Sequence, residues 1–262
     1  MIVYGRNPLR EALRGRRAAG VREVWATAGA AREPWLQGVP VRACSAEEIE
    51  RRCGSSAHQG VCAEAGRYPY AHAGQLLSLD QPLLVALDQV QDPQNLGSIC
   101  RTAECAGADG VIVPERRAAE VTPAVCKASA GAVEHLPVAR VRNLADFLAD
   151  ARKAGCWCYG ASAPARSCEG EGSSGGAAGG QAERAREPAA PAPYDAIDYR
   201  GGVVLVLGSE GRGLRPRVAN ACDQLIALPL MGRVQSLGVA AAAAAILYEI
   251  LQNRARGLDK VS

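Results

Sequence analysis

The amino-acid sequence predicts an α/β fold whose mostly parallel sheet is covered by helices on both faces. Three observations support this fold class. From residue 83 onward short apolar runs recur, each run is apolar at nearly every position, and stretches with helical spacing separate the runs. A strand without polar alternation is buried on both faces, as strands are in parallel sheets that have helices packed on either side.

Six apolar runs are expected to form the strands of this larger unit, which spans residues 80–262. An alanine-rich segment, Ala240–Arg254, follows them and predicts a long final helix, because alanine has the highest intrinsic helix propensity. The predicted strands are Leu83–Leu87, Val111–Val113, Val138–Val141, Cys156–Tyr159, Val203–Leu207 and Leu225–Leu228.

A smaller α/β unit is expected at residues 1–66, followed by a linker at residues 67–79 that contains the aperiodic run RYPYAHAG. Asn7 and Pro8 predict a helix start, since asparagine caps helices and proline suits the first helical position. Ser45 and Glu48 form a capping-box pattern that predicts a second helix. The expected strands of this unit are Val21–Thr27, Val39–Cys44 and Val61–Ala65.

One low-complexity stretch interrupts the larger unit. Residues Ala163–Pro193 contain SCEGEGSSGGAAGGQAERAREPAAPAP, which is rich in glycine, alanine, serine and charged residues. A segment of this composition buries too little apolar surface to offset the entropy lost when it is ordered. We therefore expect a disordered surface insertion between two strands.

Composition restricts the class of protein. The formal net charge is +3, and the basic residues are nearly all arginine, which permits RNA binding without establishing it. The sequence has no run of eighteen apolar residues, so no membrane span is predicted. Its start has no apolar leader core, so no signal peptide is expected. Ten scattered cysteines without paired CxxC spacing indicate reduced thiols in a cytoplasmic protein, and with three dispersed histidines no metal is expected.

Three polar segments contain the residues whose side chains could take part in binding or catalysis. Each segment follows a predicted strand, where ligands bind in open α/β sheets. Asn95 is placed to cap a helix, and Arg101 lies among apolar residues, from where its side chain tilts toward the preceding loop and could pair with a phosphate. Glu210 has no evident structural task, and Ser236 either caps the last helix or binds a substrate. The structural alternatives are a simple cap, a solvated arginine and tight glycine turns. The segments are DQVQDPQNLGSICR, GSEGRGL and LPLMGRVQSLGV.

In this order and spacing the segments resemble the signature motifs of the SpoU (TrmH-like) 2′-O-ribose RNA methyltransferases of the SPOUT class. The resemblance runs from residue 83 to about residue 254 and rests on DPQNLGSICRTAECAG, LVLGSEGRGL and LPLMGRVQSLGVAAAAAAILYE. The front unit resembles the N-terminal RNA-binding domain of the RlmB-type subgroup through VYGRNPLREAL and HQGV. The family implies a deep C-terminal trefoil knot, a homodimer whose RNA site is shared between subunits, and S-adenosyl-L-methionine as cofactor.

The resemblance also assigns roles to individual residues. The positions that it implies for catalysis are Asn95, Arg101, Glu210 and Ser236. Those that it implies for cofactor binding are Gly208, Leu228, Leu230, Gly232, Leu237 and Gly238. Contacts with RNA are expected from Arg6, His58, Gln59 and Arg101.

The expected activity is methylation of a ribose 2′-hydroxyl, of a guanosine in 23S rRNA or its precursor, since tRNA-directed relatives typically lack such a front domain. The alternatives are a tRNA 2′-O-methyltransferase and a non-catalytic RNA-binding or ribosome-assembly protein with the same fold. One departure supports the last alternative. The family usually has asparagine after Ser236-Leu237 and often serine two positions later, where this chain has Gly238 and Ala240.

Overall fold

The computed structural model describes residues 1–163, 190–234 and 236–258, and two separate sheets organise this part of the chain. The predicted insertion falls largely on residues 164–189, which lie outside the described residues. In the described part of the chain, no helix is both long and apolar enough to cross a membrane.

The first sheet has the strand order β1-β4-β2-β3, with β4 antiparallel to both β1 and β2, and with β2 parallel to β3. Helices α1 and α2 pack on it. Its strands and helices are β1 (Ile2–Tyr4), α1 (Arg6–Ala12), β2 (Val21–Ala26), β3 (Val41–Ala43), α2 (Ala46–Cys53) and β4 (Val61–Ala65).

The two predicted helix starts of this unit have different outcomes. Ser45 caps α2 as predicted, because its Oγ accepts the backbone N–H of Glu48 at 3.2 Å. The predicted cap at Asn7 is wrong, since α1 begins two residues earlier, after Gly5 with φ +93°. Pro8 is the third helical residue, and it fits there because the first four N–H groups of a helix have no partner within it.

Residues 67–79, predicted as a linker, pack against the second sheet. The Tyr68 hydroxyl donates to the Val133 carbonyl at 2.8 Å, and Ala71 forms a parallel bridge with Ala139. The segment also contains a short helix, α3 (Ala73–Leu77), where the sequence predicted only linker.

Within the described residues the second sheet has seven strands in the order β7-β6-β5-β10-β8-β11-β9, and all of their pairings are parallel. The predicted α/β class with a mostly parallel sheet is therefore confirmed; the trefoil knot stays a prediction. The strands are β5 (Leu83–Asp88), β6 (Gly110–Pro114), β7 (Val138–Val141), β8 (Cys156–Ser162), β9 (Ala192–Pro193), β10 (Gly202–Gly208) and β11 (Gln224–Ala227). The helices are α4 (Pro93–Cys105), α5 (Pro123–Ala128), α6 (Leu144–Lys153), α7 (Pro216–Ala219) and α8 (Val239–Leu258).

Apolar cores lie on both faces of this sheet. Along β5 and β10 successive side chains alternate between the two cores, as a strand period of two requires. Val85 and Leu205 face the core that contains α4 and α8, whereas Leu84 and Val204 face the core that contains α6. Burial on both faces explains why these strands are apolar at nearly every position.

A buried ion pair joins the front unit to the larger unit, at the 3-10 turn Ala132–Glu134. The Arg17 guanidinium donates to both carboxylate oxygens of Glu134, with its Nε at 2.8 Å from Oε2, and both side chains are almost fully buried. Burial opposes the charge on Arg17, but the contact with Glu134 outweighs it and raises the pKa of the guanidinium. His135 reaches Glu11 of α1 at 2.9 Å beside this pair. The orientation of the front unit is thus set by charged contacts as well as by packing.

Candidate active site

The segments that follow β5, β10 and β11 lie at one edge of the larger sheet. These strands run parallel, with β10 beside β5 and with β8 between β10 and β11. Their carboxyl ends therefore open on the same side, where ligands bind in open α/β sheets.

A cavity of about 240 Å³ lies at this edge, between the loop after β10 and the start of α8. Its floor is apolar, whereas its rim is formed by glycines, serines and one carboxylate. The lining residues from β8, β10 and β11, with the residues directly after β8 and β11, are Ala161, Ser162, Ala163, Leu207, Gly208, Ile226 and Leu228. Those from the loops and α8 are Ser209, Glu210, Gly211, Gly213, Leu230, Ser236, Leu237, Gly238, Val239, Ala242 and Ile246.

Close packing at Gly208 requires a glycine at the start of the loop after β10. A Cβ at this position would lie 2.2 Å from the carbonyl carbon of Gly213, which is far inside van der Waals contact. The loop folds back over Gly208 because Ser209 and Gly213 exchange backbone hydrogen bonds of 3.2 and 2.9 Å. The glycine therefore allows the loop to close beside the cavity.

The segment before α8 places Gly238 beside Glu210. Gly238 has φ +75°, and a Cβ built on it would lie 3.6 Å from Oε1 of Glu210. Asparagine, which the resemblance implies at this position, also enters the left-handed region more readily than other residues. Ser236 does not act as the helix cap, since its Oγ accepts the Gly238 N–H at 3.3 Å and α8 begins at Val239.

Asn95 lies outside this cavity, in the first turn of α4, and is half-buried. The expectation that it caps the helix is wrong, because Asp92 is the cap and its Oδ1 accepts the Gln94 N–H at 3.1 Å. Pro93 fixes the start of the helix directly after Asp92, since its φ is already helical.

Arg101 also lies outside the cavity and is exposed, which corrects the expectation of an apolar setting. Ile99 and Cys100 are fully buried on the face of α4 that packs on the sheet. Adjacent residues in a helix lie 100° apart, so apolar neighbours in sequence do not surround Arg101 in space. Its side chain instead lines a second cleft, of about 340 Å³, together with Glu11, Glu104, Cys105, Ser129, Ala130, Ala132 and His135.

The expected RNA contacts of the front unit occupy different environments. Arg6 is exposed and forms an ion pair with Glu33 at 2.8 Å. Gln59 is also exposed, and its Oε1 accepts the Arg6 N–H and the Lys127 ammonium, each at 3.0 Å. His58 is buried, and its Nδ1 accepts the Gly60 N–H, so it orders the turn before β4.

Of the predicted cofactor residues, Gly232 alone does not line the cavity; it is exposed, with no neighbour within 4 Å of an added Cβ.

Sequence reasoning also missed two residues behind the cavity loop. Asp88 ends β5 with no exposed surface, and Arg215 reaches it from the end of the loop. A carboxylate closing the apolar run LLVALD was the available signal for Asp88, since a charge in a buried strand needs a partner.

The thiols near these elements are unsuited to nucleophilic chemistry. Burial raises the pKa of Cys100 to about 12 and that of Cys222 to about 12, so both stay protonated near neutral pH. Among the described residues, no group of three or more His, Cys, Asp or Glu side chains is gathered to hold a metal ion. The cavity can thus bind and align a ligand through backbone, apolar and carboxylate contacts.

Comparison with known proteins assigns this site to a family. Residues 82–248 match the SpoU rRNA Methylase family, which is more than half of the chain. The chain belongs to the SpoU rRNA methylase family. Residues 2–71 match a second family, described as RNA 2′-O ribose methyltransferase substrate binding.

Individual relatives agree with this membership. The SpoU chain is 36% identical over 223 residues to YacO of Bacillus subtilis (strain 168), named within the TrmH family of tRNA/rRNA methyltransferases; the match covers 83% of this chain and 79% of YacO. An AdoMet-bound rRNA methyltransferase from Sinorhizobium meliloti is 25% identical, with a TM-score of 0.72 and coverage of 96% and 86% of the two chains. The SpoU methyltransferase AviRb from Streptomyces viridochromogenes, at 24% identity, shares the fold with a TM-score of 0.73 over 96% of this chain and 89% of its own. The protein is accordingly an RNA methyltransferase of the SpoU/TrmH family, and the expected membership of that family is confirmed.

Proposed function

We propose that this RNA methyltransferase transfers a methyl group from S-adenosylmethionine to a ribose 2′-hydroxyl, of a guanosine in 23S rRNA or its precursor. The observation that carries the 2′-O assignment is the match of residues 2–71 to a substrate-binding family described for RNA 2′-O ribose methyltransferases. It agrees with the segments GSEGRGL and LPLMGRVQSLGV at the cavity, which resemble signature motifs of 2′-O-ribose methyltransferases.

S-adenosylmethionine is the methyl donor of the SpoU family, and the cavity suits it chemically. The apolar floor, formed by Leu207, Ile226 and Ile246, offers a surface for an adenine ring. The glycine-rich loop lets a ligand approach the backbone closely, and the Glu210 carboxylate at the rim is matched to a ligand with positive groups. Gly208, Leu228, Leu230, Leu237 and Gly238 hold the cofactor in this proposal, chiefly through backbone atoms, with Gly232 completing the loop.

The bound cofactor supplies an activated methyl group on a sulfonium, so the protein's own task is alignment. A ribose hydroxyl is a weak nucleophile at neutral pH, and alignment of reacting groups is worth up to about 7–11 kcal/mol of the barrier. Arg101 contacts the target phosphate and hydroxyl, and its positive charge stabilises the hydroxyl oxygen while the hydroxyl proton passes to solvent water. Asn95, Glu210 and Ser236 orient Arg101 and the nucleotide.

This assignment includes a homodimer, because one chain does not bring Arg101 to the cavity. Arg101 lines the second cleft, whereas Glu210 and Ser236 line the cofactor cavity. Large apolar side chains stand exposed beside that cavity and on α8, which suits burial against a second copy of the chain. They are Met231, Val234, Leu237, Tyr248 and Leu251.

A methyl-transfer assay with defined RNAs tests the proposal. Purified protein is incubated with tritiated S-adenosylmethionine and with 23S rRNA, 16S rRNA or tRNA transcribed without modifications. Because a 2′-O-methyl group removes the nucleophile for alkaline cleavage, the modified ribose is mapped as a gap in an alkaline ladder.

The expected result is label in 23S rRNA at one alkali-resistant guanosine. Label in tRNA and not in 23S rRNA would reject the rRNA target and support a tRNA 2′-O-methyltransferase. Label at an alkali-sensitive nucleotide would overturn the proposal of 2′-O methylation. Cofactor binding without transfer to any of the three RNAs would support the non-catalytic alternative.

A further inference from the structure

Asp88 is a buried carboxylate that the proposed chemistry does not use. It is the last residue of β5, its side chain has no exposed surface, and it is paired in register with Gly208 of β10. Burial of a charge costs several kcal/mol unless a partner compensates it. Asp88 is the first residue of the segment DQVQDPQNLGSICR, and it lies beside Gly208, the first residue of GSEGRGL.

Arg215 is the partner that compensates this charge. Its backbone N–H donates to Oδ2 of Asp88 at 2.8 Å, and its guanidinium contacts Oδ1 through Nε at 2.8 Å and Nη2 at 2.7 Å. Arg215 follows the cavity loop directly and caps α7. Three contacts between two residues 127 positions apart thus fix the end of the loop to the end of β5.

Both ends of the loop are consequently held at Asp88. Gly208, where the loop begins, lies opposite Asp88 in the sheet, and Arg215, where it ends, bonds to the carboxylate. Between them Ser209 and Gly213 close the base of the loop with two backbone hydrogen bonds. The residues at its tip, Glu210 and Gly211, line the cavity and are exposed to solvent.

We propose that Asp88 and Arg215 are positioning residues, which hold the loop at residues 208–214 in the shape that receives the cofactor. The proposal rests on the proposed function for the identity of that cofactor. Neither side chain lines the cavity, so the pair acts through the loop and not by contact with ligand. Loss of the guanidinium should loosen the loop and weaken cofactor binding, while the alignment of bound groups is little changed.

The test compares Arg215→Met and Arg215→Lys with Arg217→Met as a matched control. Arg217 lies on α7, two residues further along, and pairs with Asp146 through side chains that are both mostly exposed. Arg215→Met keeps the backbone N–H to Asp88 and removes only the ionic contacts. For each full-length variant, calorimetry gives the Kd for S-adenosylmethionine, the transfer assay gives KM and kcat, and hydrogen exchange reports on amides 208–214 without cofactor.

Arg215→Met should raise the Kd and the KM for S-adenosylmethionine about tenfold, with kcat changed less than twofold and with faster exchange confined to the loop. Arg215→Lys should recover part of the affinity, and Arg217→Met should match the wild type. Unchanged affinity and unchanged loop exchange in a folded Arg215→Met protein would overturn the positioning role, as would a fall in kcat at constant Kd. If the wild type bound no S-adenosylmethionine, the proposed function would fall, and the exchange data would still judge the role of the pair.

Discussion

Substitution of Gly208 by alanine is the sharpest test of how the cavity is built. The added Cβ would lie 2.2 Å from the carbonyl carbon, 2.4 Å from the carbonyl oxygen of Gly213 and 2.5 Å from the Leu214 nitrogen. Since contacts shorter than 3.4 Å are already tight, the loop backbone has to move by about 1.2 Å (3.4 − 2.2). All three atoms belong to backbone, so no side-chain rotation relieves the clash.

This displacement has two expected consequences. Overpacking of a well-packed site costs about 1–3 kcal/mol, so the free energy of unfolding should fall by that amount. The moved loop should also bind S-adenosylmethionine at least about tenfold more weakly, which corresponds to about 1.4 kcal/mol. Urea unfolding measures the first effect, and titration calorimetry with the cofactor measures the second.

A glycine at the other end of the same strand separates affinity from stability. Gly201 precedes β10, has φ +89°, and has no neighbour within 4 Å of an added Cβ. Gly201→Ala should therefore cost about 1–2 kcal/mol through backbone strain alone and leave cofactor affinity unchanged. Equal affinity in Gly208→Ala and the wild type, or equal loss in both variants, would refute the reasoning from the clash.

Three further outcomes are expected. Arg101→Ala should keep calorimetric affinity for S-adenosylmethionine but lose methyl transfer, with partial recovery in Arg101→Lys; full transfer by the alanine variant would remove Arg101 from the catalytic set. Glu134→Gln should leave Arg17 buried without its countercharge and lower the free energy of unfolding in urea by about 3–5 kcal/mol; a change below about 1 kcal/mol would show that the junction is hydrated in solution. In the native protein at pH 8, iodoacetamide should modify the exposed Cys105 and spare Cys100, whose pKa burial raises to about 12; mass spectrometry reads both, and early modification of Cys100 would contradict its burial.

Strands β5, β6 and β10 of the larger sheet were predictable because they are buried on both faces. An apolar run then coincides with the strand, as in β5, which was predicted as Leu83–Leu87 and ends one residue later. The first sheet was predicted less completely. Its β1, Ile2–Tyr4, has three residues and forms through pairing with β4, about sixty positions away. A run this short carries no periodicity of its own.

Short elements elsewhere were missed for the same physical reason. Ala192–Pro193 was assigned to the insertion, yet it pairs with Ile226 and Ala227 at the edge of the sheet. Helix α3 occupies part of the predicted linker, where Leu76 provides its buried contact. In both places the tertiary partner, and not local propensity, decides the structure.

For the candidate site, sequence order predicted which loops meet but not which side chains do. Parallel strands open at one edge, so the segments containing Gly208 and Gly238 were expected together and lie together. Arg101 was misjudged because its apolar neighbours in sequence face the other side of α4. The Asp88–Arg215 pair joins positions 127 residues apart, and no local pattern encodes such a contact.

The central place of β10 has a consequence for the order of events during synthesis. β10 pairs with β5 on one side and with β8 on the other, and both of these strands leave the ribosome before it. Asp88 and its register partner Gly208 are separated by 120 positions (208 − 88), which corresponds to roughly 6–24 s at a translation rate of about 5–20 residues per second. During that interval the edge of β5 that later pairs with β10 is open, as is the corresponding edge of β8 once β8 has been made, and unpaired strand edges promote association with other chains. The middle of the sheet is therefore filled only after the strands on both of its sides have been made, and a nascent chain stopped before residue 202 should be the form most dependent on chaperones.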